Sequence, residues 1–164
     1  MKIYLIGFMG CGKSTIGKKL ASHYDYSFVD TDNLFEEKQQ CSISVFFASH
    51  SEKEFRQQEQ KLLYQTKTMD HVVIATGGGM PCFEDNMQWM LSHGKVIYIE
   101  MPAAALYNRL INSKKERPLL ANKENLQTEI NSLLARRENI YQKAHIIIPG
   151  INFSIENLVN EIEK

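Results

Sequence analysis

The sequence predicts an α/β fold, an open sheet of parallel strands covered by helices on both faces. Three observations lead there. Five short apolar runs, rich in β-branched and aromatic residues, recur along the 164 residues. They are mostly unbroken rather than alternating, as strands covered on both faces are. Segments of helical length lie between them, and strand–helix alternation means parallel pairing through right-handed crossovers. The glycine-rich and carboxylate-rich stretches follow the apolar runs directly, at the carboxyl ends where such sheets hold ligands.

The first run covers residues 3–6 and leads straight into Gly7-Phe8-Met9-Gly10-Cys11-Gly12-Lys13-Ser14-Thr15. This is the G-x-x-x-x-G-K-[ST] phosphate loop in its proper context, with a strand before it and a helix after it. The glycines let backbone N–H groups turn inward on phosphate oxygens, and the following helix adds its positive end. Lys13 reaches the β- and γ-phosphates, and the Ser14 hydroxyl is a ligand for Mg²⁺. An ordinary glycine-rich turn is the competing reading, and the Lys-Ser pair in register counts against it. The helix over 14–24 then carries Ile16, Leu20 and Tyr24 at four-residue steps.

The second run, 27–29, ends in Asp30-Thr31-Asp32. Two carboxylates after a strand suit a Mg²⁺ water shell and a hydroxyl acceptor, the two needs of phosphoryl transfer. They suit helix capping equally well, since Asn33 precedes Glu36 by three residues, and local sequence does not divide these readings. A helix over 52–68 carries Phe55, Leu62 and Leu63, with Arg56 beside Phe55 and Glu59 one turn on. Such an Arg–Glu spacing ordinarily makes a solvated surface pair.

The third run, 72–75, ends in Thr76-Gly77-Gly78-Gly79. Three glycines at a strand's carboxyl end let a ligand approach the backbone. Met80, Pro81 and Phe83 beyond them fit core or pocket equally. The fourth run is 96–99. A helix over 126–141 carries Ile130, Leu133, Leu134 and Tyr141, and the fifth run is 146–148.

Composition bounds the rest. Nineteen basic and nineteen acidic residues leave no net charge, so whole-molecule attraction to nucleic acid or an anionic membrane is not expected. Three cysteines without a C-x-x-C pair argue against a disulfide framework and a zinc site. The first apolar run is too short for a secretory segment or a membrane span, so the expected location is the cytoplasm. No repeat or linker interrupts the chain, which reads as a single domain over 1–164, with a monomer as the default.

Taken together, the ordered motifs resemble those of the shikimate kinase family over nearly the whole chain. They are the phosphate loop, Asp30-Thr31-Asp32, Phe55-Arg56 with Glu59, Gly77-Gly78-Gly79, Arg117-Pro118-Leu119-Leu120, and Arg137 four residues before Tyr141. The resemblance implies a three-layer P-loop NTPase fold of the nucleoside monophosphate kinase type. It has a five-stranded parallel sheet, an acceptor-binding region over about 31–61 and a lid over about 112–122. It implies transfer of a phosphoryl group from ATP, with Mg²⁺, to the 3-hydroxyl of shikimate in chorismate biosynthesis.

The resemblance also distributes roles. Gly10, Cys11, Gly12, Lys13, Ser14 and Thr15 would hold the nucleotide, with Arg109 and Phe153 on the adenine side. Ser14 would bind the metal, helped by Asp30 through water. Asp32 would bind the ring hydroxyls and orient, or deprotonate, the attacking one. Arg56 and Arg137 would grip the carboxylate, for which a planar two-pronged donor suits better than Lys. Gly77, Gly78 and Gly79 would meet the substrate, with Gly78 and Gly79 offering backbone N–H groups, and Phe47 and Phe55 would wall the pocket. Arg117, together with Lys114 and Lys115, would bring positive charge with the lid.

Two positions depart from the family pattern. Ser51 stands where a glycine is usual, and Cys11 where Ser or Ala is; its thiol, near a helix N-terminus, is a candidate for oxidation. The five histidines show no ligand spacing. The rivals are a kinase for another hydroxylated metabolite such as gluconate, and a nucleotide-driven switch. A GTPase would carry an N-K-x-D motif, and none is present.

Overall fold

The computed structural model describes residues 1–115, 117–121 and 123–164, and of Lys123 the backbone alone. Five strands, β1 (Lys2–Ile6), β2 (Ser27–Asp30), β3 (Val72–Ala75), β4 (Lys95–Glu100) and β5 (Ile146–Pro149), form one sheet in the order β2-β3-β1-β4-β5. Every neighbouring pair is parallel. The chain leaves β1 in the middle, crosses to the edge for β2, returns to place β3 between them, and then adds β4 and β5 on the other side, so a crevice opens beyond the carboxyl end of β1.

Among the described residues eight α-helices complete the layers: α1 (Lys13–Tyr24), α2 (Thr31–Gln39), α3 (Ile43–Ser49), α4 (Glu52–Gln65), α5 (Asn86–His93), α6 (Ala103–Ile111), α7 (Leu126–Tyr141) and α8 (Ile155–Glu163). The pleat divides the strand residues between two cores. Ile3, Leu5, Val73, Ile97 and Ile99 face Leu20 of α1, Leu106 of α6 and Leu158 of α8. Tyr4, Ile6, Val72, Ile74, Val96 and Tyr98 face Leu63 of α4, Met87 and Met90 of α5 and Tyr141 of α7. A separate small cluster, Phe35, Phe46, Phe55 and Leu62, ties α2, α3 and α4 together.

The strand and helix expectations hold, with one difference in α4. The α-helix ends at Gln65, and residues Thr66–Thr68 tighten into a 3₁₀ turn. There the buried Thr66 hydroxyl bonds to the Leu63 carbonyl at 2.6 Å and meets the Tyr4 hydroxyl at 2.8 Å, pinning the turn to β1. At the other end of α4, Ser51 accepts from the Glu54 N–H while the Glu54 carboxylate accepts from the Ser51 N–H, a reciprocal capping box. A serine in place of glycine therefore starts this helix with a stronger cap. The lid range ends on Asn122, which lies outside the described residues, as does Glu116 within it.

Candidate active site

The phosphate loop is shaped by backbone sterics. Gly7 has φ 144°, and a Cβ there would lie 2.8 Å from the Ile99 carbonyl oxygen. Gly12, at φ 101°, begins α1 in a left-handed conformation, so the loop turns into the helix without a side-chain cap. Lys13 folds across the loop, its ammonium donating to the carbonyls of Gly7 at 2.8 Å and Phe8 at 2.9 Å. Gly10, Gly12, Lys13, Ser14, Thr15, Asp30, Asp32, Arg109 and Arg117 line one cavity of about 310 Å³. The Arg109 guanidinium donates to the Gly10 carbonyl at 3.3 Å.

Two of the residues expected at the nucleotide do not line this cavity. Cys11 is 1% exposed, packed beneath the loop, which removes the basis for ready oxidation. Phe153 packs against the main core cluster and is not among the residues lining this cavity.

The structure resolves the two readings of the carboxylate pair by giving each residue its own task. Asp30, not Asn33, caps α2, one oxygen accepting from the N–H groups of Asp32 and Asn33. Its other oxygen accepts from the Ser14 hydroxyl at 2.5 Å. Ser14 and Asp30 thus form one oxygen-rich corner beside the phosphate loop. Among the described residues no group of three or more His, Cys, Asp or Glu could hold a metal. A hydroxyl beside a carboxylate is the kind of oxygen pair that suits a hard cation keeping several waters, as Mg²⁺ does.

Asp32 instead faces a second cavity, also of about 310 Å³, lined by Phe47, Phe55, Arg56, Glu59, Gly77, Gly78, Gly79, Arg117 and Arg137 among others. Burial raises its carboxyl above the usual range; Lys115 is the first of the charges opposing that rise, Asp30 adds to it, and Lys13 and Arg117 oppose it.

The Arg56–Glu59 pair is not a solvated surface pair. Arg56 is 8% exposed and Glu59 2%, and they bond at 2.5 Å. Arg56 and Glu59 lie on the stripe of α4 that also buries Phe55, Leu62 and Leu63, so the pair faces inward. Desolvation raises the Glu59 carboxyl to about 7, against the pull of Arg56 and Arg137 and with a push from Asp32.

The glycine triplet works differently from a loose ligand-binding loop. A Cβ at Gly77 would stand 2.5 Å from a Glu59 carboxylate oxygen and 2.9 Å from one of Asp32. One at Gly78 would stand 3.2 Å from Arg137 Nη1, and one at Gly79 only 2.2 Å from Arg56 Nη2. The triplet is therefore a bare floor on which the site's charged side chains rest. The Gly77 N–H is taken by the Thr31 hydroxyl at 2.9 Å, and the Gly78 carbonyl accepts from the Tyr141 hydroxyl at 2.6 Å. Arg137 is 5% exposed, and its Nη1 has no hydrogen-bond partner among the described residues, as is true of Arg117 Nε. Buried donors of that kind call for an acceptor.

Several residues of the site are given no contact of their own by the sequence. The i+3 spacing of Glu59 to Arg56 is visible there and reads as a surface pair, and Glu36 could have been found from its i+4 spacing to Asp32 on α2. Lys115 sits two positions before Arg117 and reaches within 3.9 Å of Asp32. Met9, at a variable position of the phosphate loop, lines both cavities and gave no signal.

Comparison with known proteins agrees with this geometry. The family model described as shikimate kinase matches residues 9–164. A shikimate kinase of Phocaeicola vulgatus is 40% identical, with 99% of each chain covered. The crystal structure of shikimate kinase from Bacteroides thetaiotaomicron superposes with a TM-score of 0.93 at 32% identity, covering 100% of this chain and 99% of that one. The Acinetobacter baumannii shikimate kinase, solved in complex with shikimate, gives 0.90 at 31% identity, covering 99% and 90%. A gluconokinase from Sinorhizobium meliloti, at 12% identity and a TM-score of 0.61, shares the fold alone.

Proposed function

The chain belongs to the shikimate kinase family, and we propose that it transfers the γ-phosphoryl group of ATP to the 3-hydroxyl of shikimate, giving shikimate 3-phosphate and ADP. The observation that carries this reading is the junction of the two cavities. One is lined by a phosphate loop and the other by two buried arginines and a carboxylate, and Asp32 and Arg117 belong to both. In transfer the acceptor oxygen bonds to the γ-phosphorus and the bridging O–P bond breaks, the bridging oxygen leaving with ADP. Asp32 orients the acceptor hydroxyl and takes its proton or passes it to water. A loose transition state needs positioning and charge neutralisation more than a strong base.

The arginines fix the other end of the acceptor. Arg56, held by Glu59, and Arg137, whose Nη1 has no partner among the described residues, present donor forks suited to a carboxylate. Gluconate is a hydroxylated carboxylate too, and the family match is what favours shikimate over it. Lys13 and the loop N–H groups hold the phosphates, and Arg117 neutralises the charge that develops on the moving group. Ser14 and Asp30 would hold Mg²⁺, which supplies further charge neutralisation across the phosphates.

We also read the chain as one kinase domain, with α2, α3 and α4 as far as about residue 61 as acceptor region and the segment over about 112–122 as lid. A cytoplasmic monomer fits three unpaired cysteines and the absence of net charge. Among the described residues no helix is long and apolar enough to cross a membrane.

The test is ATP turnover with Mg²⁺, with and without shikimate, beside the Asp32→Asn variant. Turnover should require shikimate and fall roughly 10²- to 10⁴-fold in the variant. Turnover indifferent to shikimate would move the acceptor to gluconate or a nucleoside monophosphate.

A further inference from the structure

Phosphoryl transfer takes place where the acceptor cavity opens into the phosphate cavity, and the residues lining both mark that place. They are Met9, Asp32, Gly78, Lys115 and Arg117. Three are charged, and two of those already have tasks. Lys115 does not.

Its position asks for one. The ammonium lies 3.9 Å from Asp32 Oδ2, so the carboxylate that should orient the acceptor hydroxyl has a cation already beside it. That carboxylate also stands next to the path of a negatively charged phosphoryl group, which it repels. A cation able to reach both would lower the repulsion. Arg56 is bonded to Glu59 and Lys13 to two loop carbonyls, whereas the Lys115 side chain is 49% exposed and its contact with Asp32 is long. Such a pair is loose and solvent-screened, so it exchanges partners at little cost. Lysine suits the task because its charge is a point on a flexible stem rather than a rigid fork.

We propose that Lys115 is a third charged group of the transfer junction: it pairs with Asp32 in this structure and, when ATP and shikimate are bound, moves its ammonium onto the oxygens of the transferring phosphoryl group beside Arg117. The inference rests on the shikimate kinase reading above. It places Lys115 in the transition state and not in the grip on the acceptor. Loss of the charge should therefore lower kcat and leave shikimate binding intact, or strengthen it slightly because Asp32 is freed for the ring hydroxyls.

The experiment compares wild type with Lys115→Gln, Lys115→Arg and Lys114→Gln. Steady-state kinetics give kcat and KM for both substrates, and titration calorimetry gives the Kd of shikimate alone. Lys114 lines neither of the two cavities and serves as the control for total lid charge. We expect Lys115→Gln to lose tenfold or more in kcat with a shikimate Kd equal to wild type or a few-fold tighter. Lys115→Arg should recover part of the loss, and Lys114→Gln should lose at least fivefold less. A kcat within twofold of wild type for Lys115→Gln overturns the proposal. So does a tenfold weaker shikimate Kd, which would make Lys115 an acceptor anchor, and so does an equal loss in Lys114→Gln. Wild type lacking shikimate-dependent turnover would instead sink the reading beneath it, and the proposal with it.

Discussion

Replacing Gly79 by alanine adds one methyl group at a backbone angle any residue tolerates, φ −90°, so its effect is steric and local. The new Cβ would lie 2.2 Å from Arg56 Nη2 and 2.4 Å from Cζ, where ordinary contact begins at 3.4 Å. The guanidinium must retreat by roughly 1 Å, since two carbons or a carbon and a nitrogen cannot approach closer than van der Waals contact. Arg56 cannot swing to solvent cheaply, because Glu59 holds it at 2.5 Å in a buried pair and breaking such a pair costs about 3–5 kcal/mol. It therefore shifts within the site and loses alignment with the acceptor carboxylate. A charge-assisted hydrogen bond contributes about 1.5–3 kcal/mol. A loss of about 2–3 kcal/mol raises KM for shikimate roughly 30- to 150-fold. Steady-state kinetics at saturating ATP measure this, with KM for ATP as the internal control. A KM for shikimate within threefold of wild type would refute the floor-and-arginine reasoning, and an equal rise in KM for ATP would show a general distortion instead.

Two further predictions concern stability. Glu59 ionises in the native state at about 7, above the ordinary glutamate value of 4.5, so between those limits the native state holds a proton that the unfolded chain has lost. Stability should fall as pH rises through that window, by up to about 1.4 kcal/mol per pH unit for this group, and its contribution should flatten above pH 7; thermal unfolding across pH 5–8 should show a shallower slope in Glu59→Gln than in wild type, the remainder including the raised carboxyl of Asp32. Ser51→Ala removes the capping box of α4 and should cost about 1 kcal/mol, a drop in Tm of roughly 2–4 °C, whereas Ser51→Gly should cost only a few tenths. A larger loss for glycine than for alanine would show that the side-chain cap is not what starts the helix.

The sheet and the phosphate loop were legible because both are written locally. Unbroken apolar runs mark β1, β3 and β4, and the Lys13-Ser14 register marks the start of α1. The two tasks of Asp30 and Asp32 were not, because a carboxylate after a strand caps a helix and faces a ligand with the same letters. Which one it does depends on where α2 points, and the aromatic cluster of Phe35, Phe46 and Phe55 decides that. Arg56 and Glu59 read as surface for a related reason. Spacing on α4 shows that they are neighbours, but only tertiary packing shows which way the pair faces. The glycine triplet was correctly placed and differently explained, since the side chains that exclude a Cβ come from α2, α4 and α7.

The charges lining the two cavities also explain how a chain with no net charge can hold two anions. The acceptor cavity sets Arg56, Lys115, Arg117 and Arg137 against Asp32, Glu36 and Glu59, and the phosphate cavity sets Lys13, Arg109, Lys115 and Arg117 against Asp30 and Asp32. Positive charge is in excess in both, though nowhere in the whole-molecule sum. The carboxylates do not merely cancel it. A buried pair is weak evidence for stability, because desolvation offsets most of its attraction. What Glu59 supplies is direction: it fixes one edge of Arg56 and leaves the rest of that fork to the cavity. Arg137, its Nη1 unbonded among the described residues, needs no such anchor, since the Gly78 backbone and the Phe8 ring at 5.6 Å confine it. One arginine is aimed by a charge and the other by packing. The incoming carboxylate then meets donors that are already oriented, and so loses less of its binding free energy to ordering them.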